Sequence, residues 1–291
     1  MAITKTTTVS ADGLEVFYRH AGSPSAPTIL LLHGFPSSSH QFRNLIPLLA
    51  TKYHVIAPDL PGYGFTVVPA ERGYKYTFAN FATTIGAFLD TLGIKKFAVY
   101  IFDYGAPTGL RLAVQRPEAV AAIISQNGNA YAEGFGKPFW APAEKYWASG
   151  SPEDGKALGQ LFELPATKWQ YTNGAKDPGA IAPEAWTLDQ ALMDREGNKD
   201  IQLAVFYDYR TNVPLYPAIQ EYFRTSGVPV LAAWGKNDEI FVAPGAEAFK
   251  RDVKKLEVKY LDAGHFAIET NEEVLAGWIE EFLVKFDVFK K

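Results

Sequence analysis

The chain of 291 residues contains no cysteine. This absence excludes disulfide bonds, thiolate metal sites and cysteine nucleophiles, and it is typical of a protein that lives in a reducing compartment. The sequence also lacks any apolar run approaching the roughly 20 residues that a membrane-spanning helix needs, and its N-terminus has no apolar signal-peptide core. We therefore expect a cytoplasmic protein that does not enter the membrane.

Several motifs of other protein classes are missing as well. There is no G-x-S-x-G serine elbow, no Walker-type phosphate loop and no G-x-G-x-x-G, and the five histidines lack metal-ligand spacing. The formal net charge is −4, with a few short lysine patches lying among carboxylates. Nucleic acid and anionic membrane surfaces are consequently not expected as partners. The sequence predicts no metal and no cofactor, and it makes no prediction of the oligomeric state.

The chain is rich in apolar side chains, with 47% hydrophobic and 14% aromatic residues. This is enough for a sizeable core, so disorder is expected only at the polar ends MAITKTTTVS and VFKK. Short apolar runs alternate with amphipathic stretches, which is typical of βαβ units and predicts an α/β fold with a mostly parallel, doubly wound sheet. Predicted strands cover 28–34, 53–60, 97–103, 120–128, 228–235 and 256–263, and predicted helices cover 40–52, 78–92 and 272–286.

The pattern changes between residues 129 and 227. This stretch is rich in Trp, Tyr, Pro and Gly, shows little β alternation, and contains plausible helices near Glu144, at 181–193 and at 217–223. Roughly 100 residues are too many for one loop of a compact domain. We therefore expect a core formed by 1–128 and 228–291, with an inserted helical cap at 129–227.

The predicted strand 97–103 leads directly into Asp103, followed by Gly105 and a helix. That succession is typical of a nucleophile elbow, a sharp turn that exposes the central side chain. The amides and dipole of the following helix would stabilise Asp103 as an anion. Two features weaken this interpretation: Asp is also a favoured helix N-cap, and Ile101 stands where an elbow usually has a small residue.

Two further strands end in a reactive side chain. Asp238 follows the strand 228–235, and His265 follows the last strand. Either residue alone would be an ordinary turn or surface position. Together with Asp103 they appear in the chain order nucleophile, acid, base, each at the carboxyl end of a strand, where the functional groups of open α/β sheets gather. The joint arrangement predicts a catalytic triad.

A fourth element is the turn His33-Gly34-Phe35 after the first predicted strand. Such a turn lets the backbone N–H of Phe35 face the reaction centre, and with the N–H of Tyr104 it would form an oxyanion hole. A plain Gly-Pro loop is the alternative interpretation.

These motifs resemble those of the epoxide hydrolase and haloalkane dehalogenase branch of the α/β-hydrolase fold. The resemblance spans roughly 1–128 and 228–291, and it is carried by H-G-F-P (33–36), D-L-P-G-Y-G (59–64), D-Y-G (103–105), W-G-K-N-D (234–238) and G-H-F (264–266). It implies a small apolar organic substrate and an Asp nucleophile. That aspartate attacks a saturated carbon and forms an alkyl ester, which water hydrolyses with help from the histidine.

The resemblance leaves two activities open. Epoxide hydrolases protonate the leaving oxygen with cap tyrosines, and F-Y-D-Y-R-T-N (206–212) resembles the run that carries one of them, which makes Tyr209 a candidate that could instead only pack the cap. Tyr146 is the candidate for a second substrate-binding donor. Dehalogenases usually have Trp after the nucleophile, where this chain has Tyr104, and some have Asn at the position of Phe35, although Trp140 could serve a halide.

The sequence thus favours epoxide opening over haloalkane dehalogenation. A catalytically silent binding protein on the same fold is a third possibility, although such a protein would be expected to have lost part of the triad.

Overall fold

The computed structural model describes residues 2–290 and contains one sheet of eight strands. The strands are β1 (Lys5–Ala11), β2 (Leu14–Ala21), β3 (Thr28–Leu32), β4 (His54–Pro58), β5 (Phe97–Phe102), β6 (Val120–Gln126), β7 (Val230–Gly235) and β8 (Leu256–Leu261). Their spatial order is β1-β2-β4-β3-β5-β6-β7-β8. β1 and β2 pair antiparallel with their neighbours, and the other strands run parallel. The predicted mostly parallel α/β sheet is confirmed.

The six strands predicted from apolar runs are all present, each somewhat shorter than expected. The prediction of a disordered N-terminus is wrong for residues 5–11, which form β1. Asp12 and Gly13, both at positive φ, make the tight turn that pairs Ala11 with Leu14. Asp-Gly is a favoured pair for such a hairpin turn because both positions require φ above zero. At the other end Val288 is buried, whereas Lys291 of the predicted polar end lies outside the described residues.

Two apolar layers cover the faces of the sheet. Along β3, Leu30 and Leu32 point into one layer, whereas Ile29 and Leu31 point into the other. Successive side chains of a strand alternate between faces, so a strand buried on both sides reads as a continuous apolar run. This is why β3 and β5 were visible in the sequence.

Helices pack on both faces of the sheet and fill the connection from β6 to β7. The helices are α1 (Leu45–Leu49), α2 (Phe78–Thr91), α3 (Gly105–Gln115), α4 (Lys137–Ser149), α5 (Pro152–Ala157), α6 (Leu164–Thr172), α7 (Pro183–Met193), α8 (Asn198–Asp208), α9 (Tyr216–Ser226), α10 (Pro244–Ala248) and α11 (Glu272–Lys285).

The single helix predicted at 40–52 is instead a 3-10 turn (Ser39–Phe42) followed by the short α1. Pro47 lies within α1 and has no N–H to bond to the carbonyl of Arg43, so a continuous helix cannot run through this segment.

The connection from β6 to β7 holds the six helices α4 to α9 and no strand of the sheet among residues 2–290. This is the region predicted as a helical cap, and the boundaries at 129 and 227 remain a prediction. None of the helices in the described part of the chain combines the length and the apolar character needed to cross a bilayer.

Candidate active site

Asp103 lies at the sharp turn between β5 and α3, with a φ of 46°. A non-glycine residue in this left-handed region is uncommon, and Asp tolerates it better than most residues. The turn packs closely against the end of the neighbouring strand β3: a Cβ at Gly105 would lie 2.2 Å from the carbonyl oxygen of Leu32. Tyr104, not Asp103, occupies the N-cap position of α3. The backbone therefore has the form of a nucleophile elbow, and Asp103 does not cap the helix.

The space for the large side chain of Ile101 is provided by α3, the helix that follows the elbow. A Cβ at Gly109 of α3 would lie 2.6 Å from Cγ2 of Ile101. The absence of a side chain at Gly109 thus gives Ile101 the space that a small residue at position 101 would otherwise provide.

The carboxylate of Asp103 is held by the loop that follows β3. The backbone N–H of Phe35 donates to its Oδ1 at 2.7 Å, and the backbone N–H of Tyr104 also bonds to the carboxylate. Gly34 allows this approach, since a Cβ there would lie 2.3 Å from Cβ of Asp103. The structure therefore brings together the two backbone donors that the sequence suggested, and both point at the carboxylate.

The ring of His33 holds this loop in place through contacts with Leu60 and Gly34. Its Nε2 accepts a hydrogen bond from the N–H of Leu60 at 2.9 Å, and its Nδ1 lies 3.1 Å from the carbonyl oxygen of Gly34. Nε2 is therefore unprotonated and Nδ1 carries the proton. Burial lowers the pKa of His33, which keeps the ring neutral.

Asp238 and His265 lie beside the elbow, and both are buried. Nδ1 of His265 is 2.7 Å from Oδ2 of Asp238, and its Nε2 is 3.8 Å from Oδ2 of Asp103. The hydrogen bond from Nδ1–H to the Asp238 carboxylate favours the neutral tautomer that leaves Nε2 free to accept a proton. The three predicted triad residues are thus in contact, in the order acid, base and nucleophile.

Asn127 is a site residue that the sequence reasoning missed. Its Nδ2 donates to Oδ2 of Asp238 at 2.6 Å, and its Oδ1 accepts from the N–H of Gly235 at 2.9 Å. The other carboxylate oxygen of Asp238 accepts from the N–H of Ile240 at 2.7 Å. Asn127 directly follows β6 and has a φ of 49°, so the pair Asn127-Gly128 after a strand was the available signal.

The protonation equilibria of the site follow from burial and from the close charges. Burial raises the pKa of Asp103 to about 6, while His265 and the N–H groups of Phe35 and Tyr104 act in the opposite direction. Burial also lowers the pKa of His265, but Asp238 and then Asp103 outweigh it, so the pKa lies above its usual value. The expected stabilisation of Asp103 as an anion is therefore present but smaller than the cost of burial. The carboxylate is mainly ionised at neutral pH.

Tyr209 lies fully buried over this site. Its ring is 5.8 Å from that of Tyr104 and stacks on Trp147 at 5.7 Å. Burial raises the pKa of Tyr209, and the negative charge of Asp103 contributes in the same direction. The neighbouring Tyr216 also raises the pKa of Tyr209. The hydroxyl group of Tyr209 is therefore close enough to Asp103 for the negative charge of the carboxylate to act on it.

The other two predicted cap residues behave differently. Trp140 is buried against Tyr209 at a ring distance of 4.8 Å, but its indole N–H donates to the carbonyl oxygen of Ile240 at 2.9 Å. It can contribute an apolar wall, whereas its N–H is already used. The structure does not bring Tyr146 to the triad: its ring packs on Tyr207 at 4.8 Å and it is half-buried. The role of Tyr146 as a substrate-binding donor stays a prediction that its packing on Tyr207 does not support.

The space around the elbow is lined by rings. The aromatic side chains that pack there are Phe35, Tyr63, Phe78, Tyr104, Trp140, Phe162, Phe206, Tyr209 and Phe241. None of these aromatic side chains is charged at neutral pH. Among residues 2–290, no group of three or more His, Asp or Glu side chains is arranged to hold a metal ion.

Comparison with known proteins matches the chain to one family model. Residues 27–272 match the family model described as alpha/beta hydrolase fold. An uncharacterized hydrolase of Saccharomyces cerevisiae is 51% identical over 278 residues, covering 94% of each chain. Among solved structures, a haloalkane dehalogenase of Bradyrhizobium elkani superimposes with a TM-score of 0.77 at 24% identity, covering 97% of this chain and 100% of that one. An epoxide hydrolase of Vigna radiata gives 0.75 at 24% identity, covering 97% and 98%.

Proposed function

We propose that this chain, which belongs to the alpha/beta hydrolase fold family, opens epoxides to diols through an ester formed on Asp103. The observation that carries the proposal is the elbow itself. A buried carboxylate takes the place of a serine there, and two backbone N–H groups and a His–Asp pair surround it. A carboxylate is suited to in-line attack on a saturated carbon.

In the first step Oδ2 of Asp103 attacks a ring carbon of the epoxide. Oδ1 is engaged by the N–H of Phe35 at 2.7 Å, so Oδ2 is the oxygen with the freer lone pairs. A new C–O ester bond forms while the ring C–O bond breaks, and the electrons of that bond move to the ring oxygen. This oxygen needs a proton, which the Tyr209 hydroxyl group supplies.

In the second step a water molecule hydrolyses the ester. Nε2 of His265 takes a proton from the water, and the resulting hydroxide adds to the carboxyl carbon of Asp103. Charge develops on Oδ1, where the N–H groups of Phe35 and Tyr104 stabilise it, each donor being worth on the order of 3 kcal/mol. The tetrahedral intermediate then expels the diol oxygen, which takes the proton held by His265. The second proton of the water remains on the Asp103 carboxyl group and returns to the Tyr209 phenolate, so both side chains are regenerated.

A second phenol near the leaving oxygen comes from the core and not from the cap helix that carries Tyr146. The hydroxyl groups of Tyr63 and Tyr104 are buried and have no hydrogen-bond partner within residues 2–290. Both tyrosines lie within the electrostatic reach of Asp103. A buried hydroxyl group without a partner costs roughly 1–3 kcal/mol, and a substrate oxygen would recover part of this cost.

The aromatic lining also favours an uncharged, apolar substrate. Tyr104 and Pro107, which follow Asp103 on the elbow and the first turn of α3, carry no charge. Arg111 of α3 already donates hydrogen bonds to the carbonyl oxygen of Pro107 and to Oγ1 of Thr211. A carboxylate-bearing substrate would therefore lose its hydration without gaining a cationic partner.

Haloalkane dehalogenation is the second candidate function, and the relatives support it. A haloalkane dehalogenase of Psychrobacter cryohalolentis is 30% identical over 185 residues, covering 58% of this chain. A leaving halide needs N–H donors, however, and two cap indoles donate elsewhere: Trp140 to Ile240 and Trp147 to Phe206 at 2.8 Å. The phenol-rich site favours a leaving oxygen over a halide.

A parallel activity screen tests the proposal. The purified enzyme is supplied with styrene oxide, 1-bromobutane and p-nitrophenyl acetate, and diol, bromide and nitrophenol are measured. We expect diol formation to be the fastest reaction, and Tyr209→Phe to reduce it by about 100-fold, the typical contribution of a general acid. Bromide release that exceeds diol formation would replace the epoxide assignment by the dehalogenase one.

The matched control is Tyr146→Phe, which removes a phenol from the cap away from the triad and should leave turnover unchanged. A protein that gains thermal stability with these ligands but turns over none of them would be a binding protein on this fold.

A further inference from the structure

One segment of the predicted cap touches three loops of the catalytic site. It is the C-terminal end of α6 with the residues just after it, from Tyr171 to Gly174, and we call it the α6 brace. The loops that it meets carry the oxyanion donor Phe35, the acid Asp238 and the base His265.

Tyr171 is the central residue of the brace and is fully buried. Its ring lies parallel to that of Phe266, with 3.8 Å between ring centroids and 16° between planes. Phe266 directly follows His265, and both rings pack on Phe102 of β5, at 4.9 Å and 4.6 Å. The imidazole of His265 therefore packs directly on Phe102 of β5 and is linked to Tyr171 through Phe266.

The hydroxyl group of Tyr171 fixes the position of this ring. It donates to Oδ2 of Asp189 at 2.5 Å and lies 3.3 Å from Oγ of Ser37, on the loop that carries Phe35. Asp189 belongs to α7 and is buried. The cap and the oxyanion loop thus hold the same phenol.

The charged groups around Asp189 are Glu269 and Arg43, which bind each other through two hydrogen bonds of 2.7 Å and 3.0 Å. Burial raises the pKa of Asp189 to about 8. At neutral pH the side chain is therefore mainly a neutral carboxylic acid, which asparagine resembles in shape and charge.

The backbone of the brace completes these contacts. The carbonyl oxygen of Gly174 accepts a hydrogen bond from Nδ2 of Asn237 at 2.9 Å, next to Asp238. A Cβ at Gly264 would lie 1.8 Å from the carbonyl oxygen of Asn173, so the turn before His265 packs directly on the brace. Such close backbone approach is possible only because residue 264 is glycine.

We propose that Tyr171 is a positioning residue that holds His265, through Phe266, where its Nε2 can activate water. This role rests on the function proposed above and concerns its second step, because His265 takes no part in the attack by Asp103. A small misplacement of a catalytic group can cost about 100-fold in rate. Loss of the Tyr171 ring should therefore slow ester hydrolysis and spare ester formation.

The test separates the two steps in single-turnover experiments with styrene oxide. Rapid quenching followed by mass spectrometry of the intact protein gives the rates at which the alkyl-enzyme forms and decays. We expect Tyr171→Leu to slow the decay by about 100-fold and to change the formation by less than about 3-fold. Tyr171→Phe keeps the ring and loses only the hydroxyl group, so we expect it to restore most of the decay rate. Asp189→Asn keeps an acceptor for the phenol and should remain close to the wild type.

Tyr131→Leu is the matched control, because Tyr131 is a fully buried tyrosine that packs on Phe249, away from the triad. It should leave the ratio of the two rates unchanged. If Tyr171→Leu is not recovered folded, Phe266→Leu removes the same stacked contact from the other side and should give the same selective slowing of decay.

Equal slowing of both steps, or of neither, would overturn the positioning role while leaving the Asp103 ester in place. A wild-type enzyme that turns over styrene oxide without ever forming an ester on Asp103 would instead overturn the proposed function, and the role of Tyr171 with it.

Discussion

Replacement of Asn127 tests how the acid of the triad is held. Asn127→Ala removes the hydrogen bond of 2.6 Å to Asp238 and the bond of 2.9 Å from the N–H of Gly235. A hydrogen bond to a charged group contributes about 1.5–3 kcal/mol, and an unsatisfied buried N–H costs about 1–3 kcal/mol. The φ of 49° at residue 127 adds about 1–2 kcal/mol for alanine, which avoids the left-handed region.

We therefore expect Asn127→Ala to lower the free energy of unfolding by about 3–5 kcal/mol, less than the simple sum because neighbouring effects overlap. Asn127→Gly loses the same hydrogen bonds but tolerates the backbone conformation, so it should be about 1 kcal/mol more stable than the alanine variant. Urea denaturation measures both differences. The surface variant Asn80→Ala, which loses one bond to the carbonyl oxygen of Lys75, is the control.

The catalytic consequence is measured separately. With Asp238 less well oriented, His265 loses its fixed tautomer, and we expect decay of the alkyl-enzyme in Asn127→Gly to slow by about 10–100-fold. If this variant is folded and hydrolyses the ester at the wild-type rate, then Asn127 does not orient the acid and the reasoning is refuted.

Three further predictions follow from the loops around the elbow. Gly34→Ala places a methyl group 2.3 Å from Cβ of Asp103, so it should abolish adduct formation while the protein still folds, as judged by circular dichroism. The rate of ester formation should fall as the pH drops through about 6, because only ionised Asp103 attacks and its pKa is raised to about 6; a flat profile from pH 5 to 8 would contradict this. Gly64→Ala combines a φ of 54° with a Cβ 1.9 Å from Oδ2 of Asp59, and should lower the unfolding free energy by about 2–4 kcal/mol in urea.

Much of the core was predictable because burial leaves a clear pattern. β3 and β5 are covered on both faces, which requires continuous apolar runs such as TILLL and FAVYIF. β1 was missed because it is an edge strand with Lys and Thr exposed to solvent, so hydrophobicity alone could not reveal it. The Asp12-Gly13 turn was a local sign of that hairpin.

The triad was predictable because its members follow the carboxyl ends of β5, β7 and β8 in a fixed chain order. The cap residues that face the site were not predictable, because a shift of one residue along a helix turns a side chain by about 100°. Trp140 and Trp147, seven residues apart, lie on the inner face of α4, whereas Tyr146 is turned by about 100° from Trp147 and points towards Tyr207. The contact between Tyr171 and Phe266 joins segments almost 100 residues apart, and nothing local in the sequence signals it.

Ester formation on Asp103 is the central claim, and trapping the ester tests it most directly. His265→Gln should leave the attack intact and block the activation of water, so incubation with styrene oxide should produce a stable adduct. Mass spectrometry of the digested variant should then find the mass of one epoxide on the peptide that contains Asp103, and none after the additional change Asp103→Asn. An unmodified Asp103 peptide in a variant that still opens the epoxide would contradict the account.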